Sequence, residues 1–338
     1  MTTMRAMVMR SAGAALPSSP LTLENRPTPT ISAPTDVVVR IAGAGVCRTD
    51  IHLLTGVMHA PTPLILGHEN SGYVHAIGSA VTAVAVGDSV LCYPFITSGL
   101  DRSERAGGHA GANGRRTPGI NTDGGFCEFL LTTERSVLRV PETADLPALS
   151  ALTDAGLAAQ RACMRASAQL MPTDLVVLLG IGGLGHLALQ ILRATSAATI
   201  IAVDINGETR TFAEQLGAAA SLHPDELDAY VNNARVVIDF VGSDATVRLS
   251  RRLLAFGGSY IGVAIGGQIE VPLTELVERE LRFEGIFVGT YEDLCNVTNL
   301  ALTGKVRPIV QKYDLEDANR AIDDLANGRI RGRAVLTP

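Results

Sequence analysis

The sequence predicts an α/β protein in two parts: a β-rich stretch over roughly the first 150 residues, then a doubly wound parallel sheet. Two observations predict this. Up to about residue 150, short apolar or alternating runs lie close to Gly or Pro, as strands do. From about residue 175, continuous apolar runs alternate with a stretch of helical period, and a glycine-rich turn joins the first run to the first helix.

Residues 1–10 alternate like a strand and lack a signal-peptide pattern. The runs 36–41, 72–77, 88–92 and 126–131 continue the series, which suits a small barrel or sandwich. Between them, residues 97–124 hold seven glycines in 28 positions, together with Arg102, Arg105, Arg115 and Arg116. A stretch so poor in apolar residues is expected to be a mobile surface excursion. Farther on, 175–179 reads as a strand covered on both faces. Leu184, Ala188, Ile191 and Leu192 then share one helical face, and strands follow at 199–203, 236–240 and 259–263. Pattern alone allows residues 291–338 either to extend the second domain or to return to the first.

A chain of 338 residues, 46 % hydrophobic, suggests two folded domains rather than a disordered polymer. Its net charge of −6 argues against nucleic acid as a partner, because phosphate binding needs a basic face. No uninterrupted apolar run of about 18 residues exists, which argues against a membrane span. Five scattered cysteines without a Cys-x-x-Cys argue against a disulfide framework and for a cytoplasmic protein. Cys92, Cys127, Cys163 and Cys295 read as small buried hydrophobes. Cys47 alone sits among polar neighbours.

Two motifs carry chemistry. In Gly180-Ile181-Gly182-Gly183-Leu184-Gly185 the glycines follow a strand and open a helix, the context of a dinucleotide site. Gly180 permits the tight turn, Gly182 lets the pyrophosphate approach, and Gly185 allows helix and strand to pack closely. The helix N-terminus offers free N–H groups to the phosphates. Asp204 ends the next strand. A carboxylate there accepts from the adenosine ribose hydroxyls and repels a 2′-phosphate, so NAD is expected. The second motif is Cys47-Arg48-Thr49-Asp50-Ile51-His52, followed by Gly67-His68-Glu69. Its thiolate and second imidazole suit Zn²⁺, and the residues between supply groups that move a proton. Singly, each of these residues is as well explained by burial; the ordered set is not.

These motifs, with Val86-Gly87-Asp88 and the closing Ile330-Arg331-Gly332-Arg333, occur in order over nearly the whole chain. The chain thereby resembles the zinc-dependent alcohol dehydrogenases of the medium-chain dehydrogenase/reductase superfamily, most of all the bacterial secondary-alcohol enzymes. The resemblance implies a GroES-like catalytic domain over 1–150, to which 291–338 returns, and a Rossmann NAD-binding domain over 151–290. It implies one catalytic zinc on Cys47, His68 and Asp154, the last matched through Leu152-Thr153-Asp154-Ala155-Gly156. Glu69 is either a supporting residue or an alternative ligand, and Asp50 orients the ring of His68. Thr49 takes the alcohol proton, and His52 carries it to solvent. Arg48 and Arg333 match positions that meet the pyrophosphate. Phe240, Val263 and Ile286 match the wall around the nicotinamide, and Tyr93, Phe95, Phe287 and Tyr291 would shape an apolar substrate cleft.

The chain departs from the family in three places. The lobe that often holds a structural zinc on four cysteines would fall within 92–124, where Cys92 is alone, so no structural zinc is expected. Ala158 and Thr209 stand where relatives often carry a threonine and a basic residue. The implied activity is hydride exchange between NAD(H) and a secondary alcohol or ketone, in a homodimer or homotetramer. Two alternatives remain: a zinc-free quinone or enone reductase of the same superfamily, and a non-catalytic nucleotide-binding protein.

Overall fold

The computed structural model describes residues 2–338. They divide into two units. The first comprises the chain through Ala155, with Thr290–Thr298 and Pro308–Pro338; the second comprises Gly156–Gly289 and Asn299–Arg307.

Eight strands open the first unit: β1 (Thr3–Met9), β2 (Leu21–Pro27), β3 (Asp36–Val46), β4 (Leu64–Ile65), β5 (Glu69–Ile77), β6 (Ser89–Cys92), β7 (Phe129–Thr133) and β8 (Val137–Arg139). The second unit contributes β9 (Leu175–Leu179), β10 (Thr199–Val203), β11 (Ala220–Leu222), β12 (Ala234–Asp239), β13 (Leu254–Gly262) and β14 (Arg282–Gly285). The strands β15 (Val310–Asp314) and β16 (Arg333–Thr337) belong to the first unit again.

Strand β3 organises the first unit. It pairs antiparallel with β5, β7 and β16, and its residues are buried almost throughout. A strand covered on both faces has no polar side to alternate, which is why 36–41 reads as an apolar run. Its core includes Val37, Val39, Leu130 and Leu336. The ladder between β3 and β5 is broken by two register shifts. Near one of them a Cβ on Gly72 would lie 2.1 Å from the Arg40 carbonyl oxygen, so only glycine fits.

Residues 97–124 are not the structureless excursion their composition suggests. A helical turn spans Arg102–Arg105, and a tighter one spans His109–Gly111. The first is anchored by Glu104, which is buried. Its carboxylate accepts from Gly99 N (3.0 Å), Asp101 N (2.8 Å) and Ser98 Oγ (3.1 Å). A hydrogen bond from Thr97, with those from these neighbours, holds its pKa down at about 2. An acid with a depressed folded pKa stabilises the fold above its unfolded pKa and loses that contribution as pH falls toward the folded value. Glu104→Ala is therefore expected to speed tryptic cleavage at Arg115 and Arg116 at neutral pH. In wild type, hydrogen exchange at the Gly99 and Asp101 amides should lose its protection only as the pH falls well below about 4.3. Equal rates at neutral pH would refute this role.

The second unit is a six-stranded parallel sheet in the order β11-β10-β9-β12-β13-β14. Renumbered along the unit this is 3-2-1-4-5-6, the doubly wound arrangement. All five residues of β9, at its centre, are buried. The helix Gly185–Thr195 is buried from Gly185 through Leu192, wider than the single stripe that its apolar spacing suggests.

Candidate metal centre and dinucleotide site

The metal candidates converge in the first unit. Cys47 follows the end of β3 and precedes the helix Arg48–Leu54. The turn is fixed by Asp50, whose Oδ2 accepts from Cys47 N at 2.8 Å. His68 directly precedes β5, and Glu69 is its first residue. Gly67 before them has φ +95°, and a Cβ there would lie 2.4 Å from the Phe126 ring. Asp154 sits in a π-helical turn, Leu152–Gly156. Such turns interrupt α-helical register and are frequent at functional sites.

One ligand atom from each of Cys47, His68, Glu69 and Asp154 lies within 4.8 Å of all the others. His68 Nε2 is 3.7 Å from Asp154 Oδ2, and Cys47 Sγ is 3.9 Å from the same oxygen. His68 Nδ1 is 3.5 Å from Asp50 Oδ1. Both ring nitrogens of His68, Asp50 Oδ1 and Glu69 Oε2 are buried with no hydrogen-bond partner. Buried polar atoms are seldom left so; a cation would satisfy His68 Nε2 and the cluster's other donor atoms, while Nδ1 faces Asp50 Oδ1. One thiol, one imidazole and carboxylate oxygens form a donor set that zinc accepts. The residues therefore fit the metal.

Burial works against charge on His68, but the carboxylates of Asp50 and Asp154 outweigh it and hold the ring pKa well above its ordinary value. Burial likewise opposes ionisation of Asp154, yet His68 and Arg333 hold its pKa below the usual range. Glu69 is raised, mainly by burial, against the pull of Arg333.

Arg333 is the least legible member of the site. Its guanidinium is 4 % exposed, and its Nη2 donates to Glu69 Oε1. The structure thus places it beside the metal ligands, whereas the family pattern assigns it to pyrophosphate. Arg48 is exposed, Thr49 and His52 are half-buried, and Thr49 Oγ1 is 3.7 Å from Cys47 Sγ. Thr49 and His52 stand at i and i+3 of one helix and so share a face. Burial and the nearby Arg48 charge lower the pKa of His52. Of the aromatics expected around a substrate, Tyr93 makes edge contacts with both Phe95 and Tyr291 in this unit. Phe287 belongs to the other unit and is exposed. Gly45 has no signal in the sequence, yet a Cβ there would lie 2.0 Å from Glu69 Oε2.

The dinucleotide candidates converge in the second unit. Gly180 has φ +85°, and a Cβ on Gly185 would lie 2.0 Å from the Gly180 carbonyl oxygen. These two glycines are demanded by the turn itself. Gly182 is not: it is exposed, and nothing lies within 4 Å of its Cβ position. Open space above an exposed glycine at a helix N-terminus fits a pyrophosphate. Gly183 and Leu184 complete the loop, half-buried. Asp204 follows β10 and accepts from Ile181 N and Asn206 N, both at 2.9 Å. A carboxylate has about four acceptor sites, so ribose hydroxyls can still be served. Arg210, which the sequence reading passed over, braces this turn by donating to the carbonyls of Asp204 and Ile205, each at 3.0 Å. Phe240, Val263 and Ile286 each directly follow a strand, β12, β13 and β14. They stand together at the carboxyl edge of the sheet, where doubly wound folds bind ligands.

Comparison with known proteins places both units in described families. Residues 33–142 match the alcohol dehydrogenase GroES-like domain, and residues 183–303 match the zinc-binding dehydrogenase domain. The chain is 33 % identical to an NAD-dependent alcohol dehydrogenase of Sulfurisphaera tokodaii, over 99 % of this chain and 100 % of that one. It is 31 % identical to a D-arabinose 1-dehydrogenase (NADP(+)) of Saccharolobus solfataricus, over 95 % of each. The crystal structure of the alcohol dehydrogenase from Aeropyrum pernix superposes with a TM-score of 0.93 at 37 % identity, covering 99 % of this chain and 100 % of that one. The chain belongs to the zinc-type alcohol dehydrogenases of the medium-chain dehydrogenase/reductase superfamily, with a GroES-like domain and a Rossmann-type parallel sheet.

Proposed function

We propose that this protein exchanges hydride between NAD(H) and a secondary alcohol or ketone, with one zinc held by Cys47, His68 and Asp154. The observation that carries this reading is the four-residue donor cluster with the buried, unpartnered Nε2 of His68. A zinc ion bound there supplies Lewis acidity, which lowers the pKa of an alcohol and polarises a carbonyl. NAD supplies the hydride acceptor.

The remaining work falls to the chain. Asp50 faces His68 Nδ1, fixes the ring and leaves Nε2 toward the other donors. Arg333 engages Glu69 and holds it as a support rather than a permanent fourth ligand, which keeps one position open for substrate. Thr49 accepts the alcohol proton, and His52, on the same helical face, passes it to solvent. Gly180, Gly182, Gly183, Leu184 and Gly185 cradle the pyrophosphate, and Arg48 adds positive charge. Asp204 receives the adenosine ribose and disfavours a 2′-phosphate. Phe240, Val263 and Ile286 give the nicotinamide an apolar wall.

Elemental analysis of protein purified without added metal tests the reading. About one zinc per chain, with NADH consumed on a ketone panel, is expected; protein free of metal yet active on quinones or enones would replace it with the zinc-free reductase. A second zinc would contradict our reading of 97–124, where the Glu104 carboxylate is already saturated by donors. His52→Ala is expected to lower turnover about 10²-fold, the lower end of general acid–base contributions. Because the folded pKa of His52 is depressed, its neutral form persists below pH 6.5. The acid limb of the wild-type rate profile should therefore lie below that of free imidazole, and a limb above it would remove His52 from the relay.

A homodimer or homotetramer is proposed through β14, one of the two edges of its sheet, which follows the exposed Leu273 and Val277 in the chain. A monomer by light scattering would refute it. Among the described residues no helix is long and apolar enough to cross a membrane, and the five cysteines are unpaired, which supports a reducing, cytoplasmic setting.

A further inference from the structure

One basic concavity in the second unit takes no part in the activity above. The helix Asp244–Leu253 carries Arg248, Arg251 and Arg252 in its last two turns, at i, i+3 and i+4, so they share a face. Arg279, which follows the helix Leu273–Glu278, joins them. The four line a hollow of about 330 Å³ in which Glu275 is the one carboxylate.

Two of the arginines are structurally committed. Arg279 donates to Glu275 Oε1 at 2.8 Å, to Asn232 Oδ1 at 2.9 Å and to the carbonyls of Arg251 and Leu254. Arg251 engages Glu275 and the Glu270 carbonyl, yet its Nε is buried without an acceptor. The other two are not committed. Arg252 reaches only the Asp228 carboxylate, 3.8 Å away and 90 % exposed, and Arg248 has no hydrogen bond or ion pair among the described residues. Four guanidinium groups against the lining Glu275 and the Asp228 carboxylate beside Arg252 leave two positive charges in excess, in a chain whose net charge is −6.

Like charges at i and i+4 repel. A helix C-terminus attracts basic residues, but its effect is confined to the last turn, and Arg279 already takes carbonyls there. Arg248, five residues before the helix end, gains nothing from it. Forked guanidinium donors match phosphate oxygens, and a hollow of this size admits a small organic phosphate. In a doubly wound sheet the helices run against the strands, so the end of Asp244–Leu253 lies at the amino edge of the sheet. The glycine loop after β9 lies at the carboxyl edge.

We propose that Arg248, Arg251, Arg252 and Arg279 form a second anion site, for a phosphate group on a small molecule or free in solution, which fills independently of the dinucleotide. The test is calorimetric titration of the full-length, zinc-loaded protein with inorganic phosphate and with glycerol 3-phosphate. Ionic strength is held constant with sodium chloride, and NADH is saturating so that the glycine loop is filled. The comparison is an Arg248→Gln/Arg252→Gln variant, whose two changes leave the Glu275 pairs in place. Saturable binding near one site per chain is expected in wild type, weakened by roughly tenfold or more in the variant, with NADH affinity unchanged. A tighter glycerol 3-phosphate identifies a phosphorylated molecule as the natural occupant; equal affinities identify free phosphate. Absence of saturable binding, equal affinity in the variant, or competition with NADH would each overturn the proposal.

Discussion

Cys47→Ala is expected to remove the zinc and, with it, nearly all activity. The variant loses the one soft ligand of the cluster, leaving an imidazole and carboxylates that hold zinc poorly. Lewis-acid stabilisation worth several kcal/mol disappears, so kcat/KM should fall on the order of 10³-fold or more. The control is Cys92→Ala. Burial pushes the Cys92 thiol up to about 12, and among the described residues Cys92 is not part of the donor cluster. That variant should keep its zinc and most of its turnover. Equal activity and equal zinc in the two variants would refute the metal assignment.

The largest effect on stability is expected at Arg333. Arg333→Leu leaves the Glu69 carboxylate, 0 % exposed, without its cation. Removing one partner of a buried pair costs about 3–5 kcal/mol. Replacing both residues, as Glu69→Gln with Arg333→Leu, should recover much of this, because no buried charge remains. The pH dependence distinguishes the cause. Burial already raises the Glu69 pKa, and losing Arg333 raises it further. An acid with a raised folded pKa favours the fold when protonated, so the deficit of Arg333→Leu should shrink as pH falls toward about 4.3 and grow as pH rises. Urea unfolding of the three proteins across that range measures it. A deficit below about 1 kcal/mol, or one independent of pH, would show that the pair does not act this way.

The sequence revealed what short-range patterns encode. The glycine fingerprint, the buried run of β9 and the acid closing β10 are all local, and they mark the candidate dinucleotide site without help from tertiary structure. Cys47, His68 and Asp154 were legible through their motifs, although nothing local says that they meet. The Arg333 contact with Glu69 was not legible, because Glu69 stands 264 residues away and the pairing is made by β16 lying against β3 and β3 against β5. Glu104 was hidden for a different reason. Two of its partners are backbone N–H groups, which every residue has, so composition showed only glycine and arginine. Gly45 was equally silent, since its role is to leave room for Glu69 across the sheet.

The π-helical turn that carries Asp154 makes the centre vulnerable to a change that touches none of its ligands. Such a turn holds one residue more than regular coiling requires. Shortening the chain by Ala155 alone would let the coil tighten into an ordinary α-helix, in which each residue turns by about 100°, and the carboxylate would lose the direction the wider turn gives it. An alignment of such a descendant would still display the cysteine, the histidine and the aspartate, and would pass for a metalloenzyme. Within this lineage, spacing is therefore a stricter criterion of inherited chemistry than residue identity.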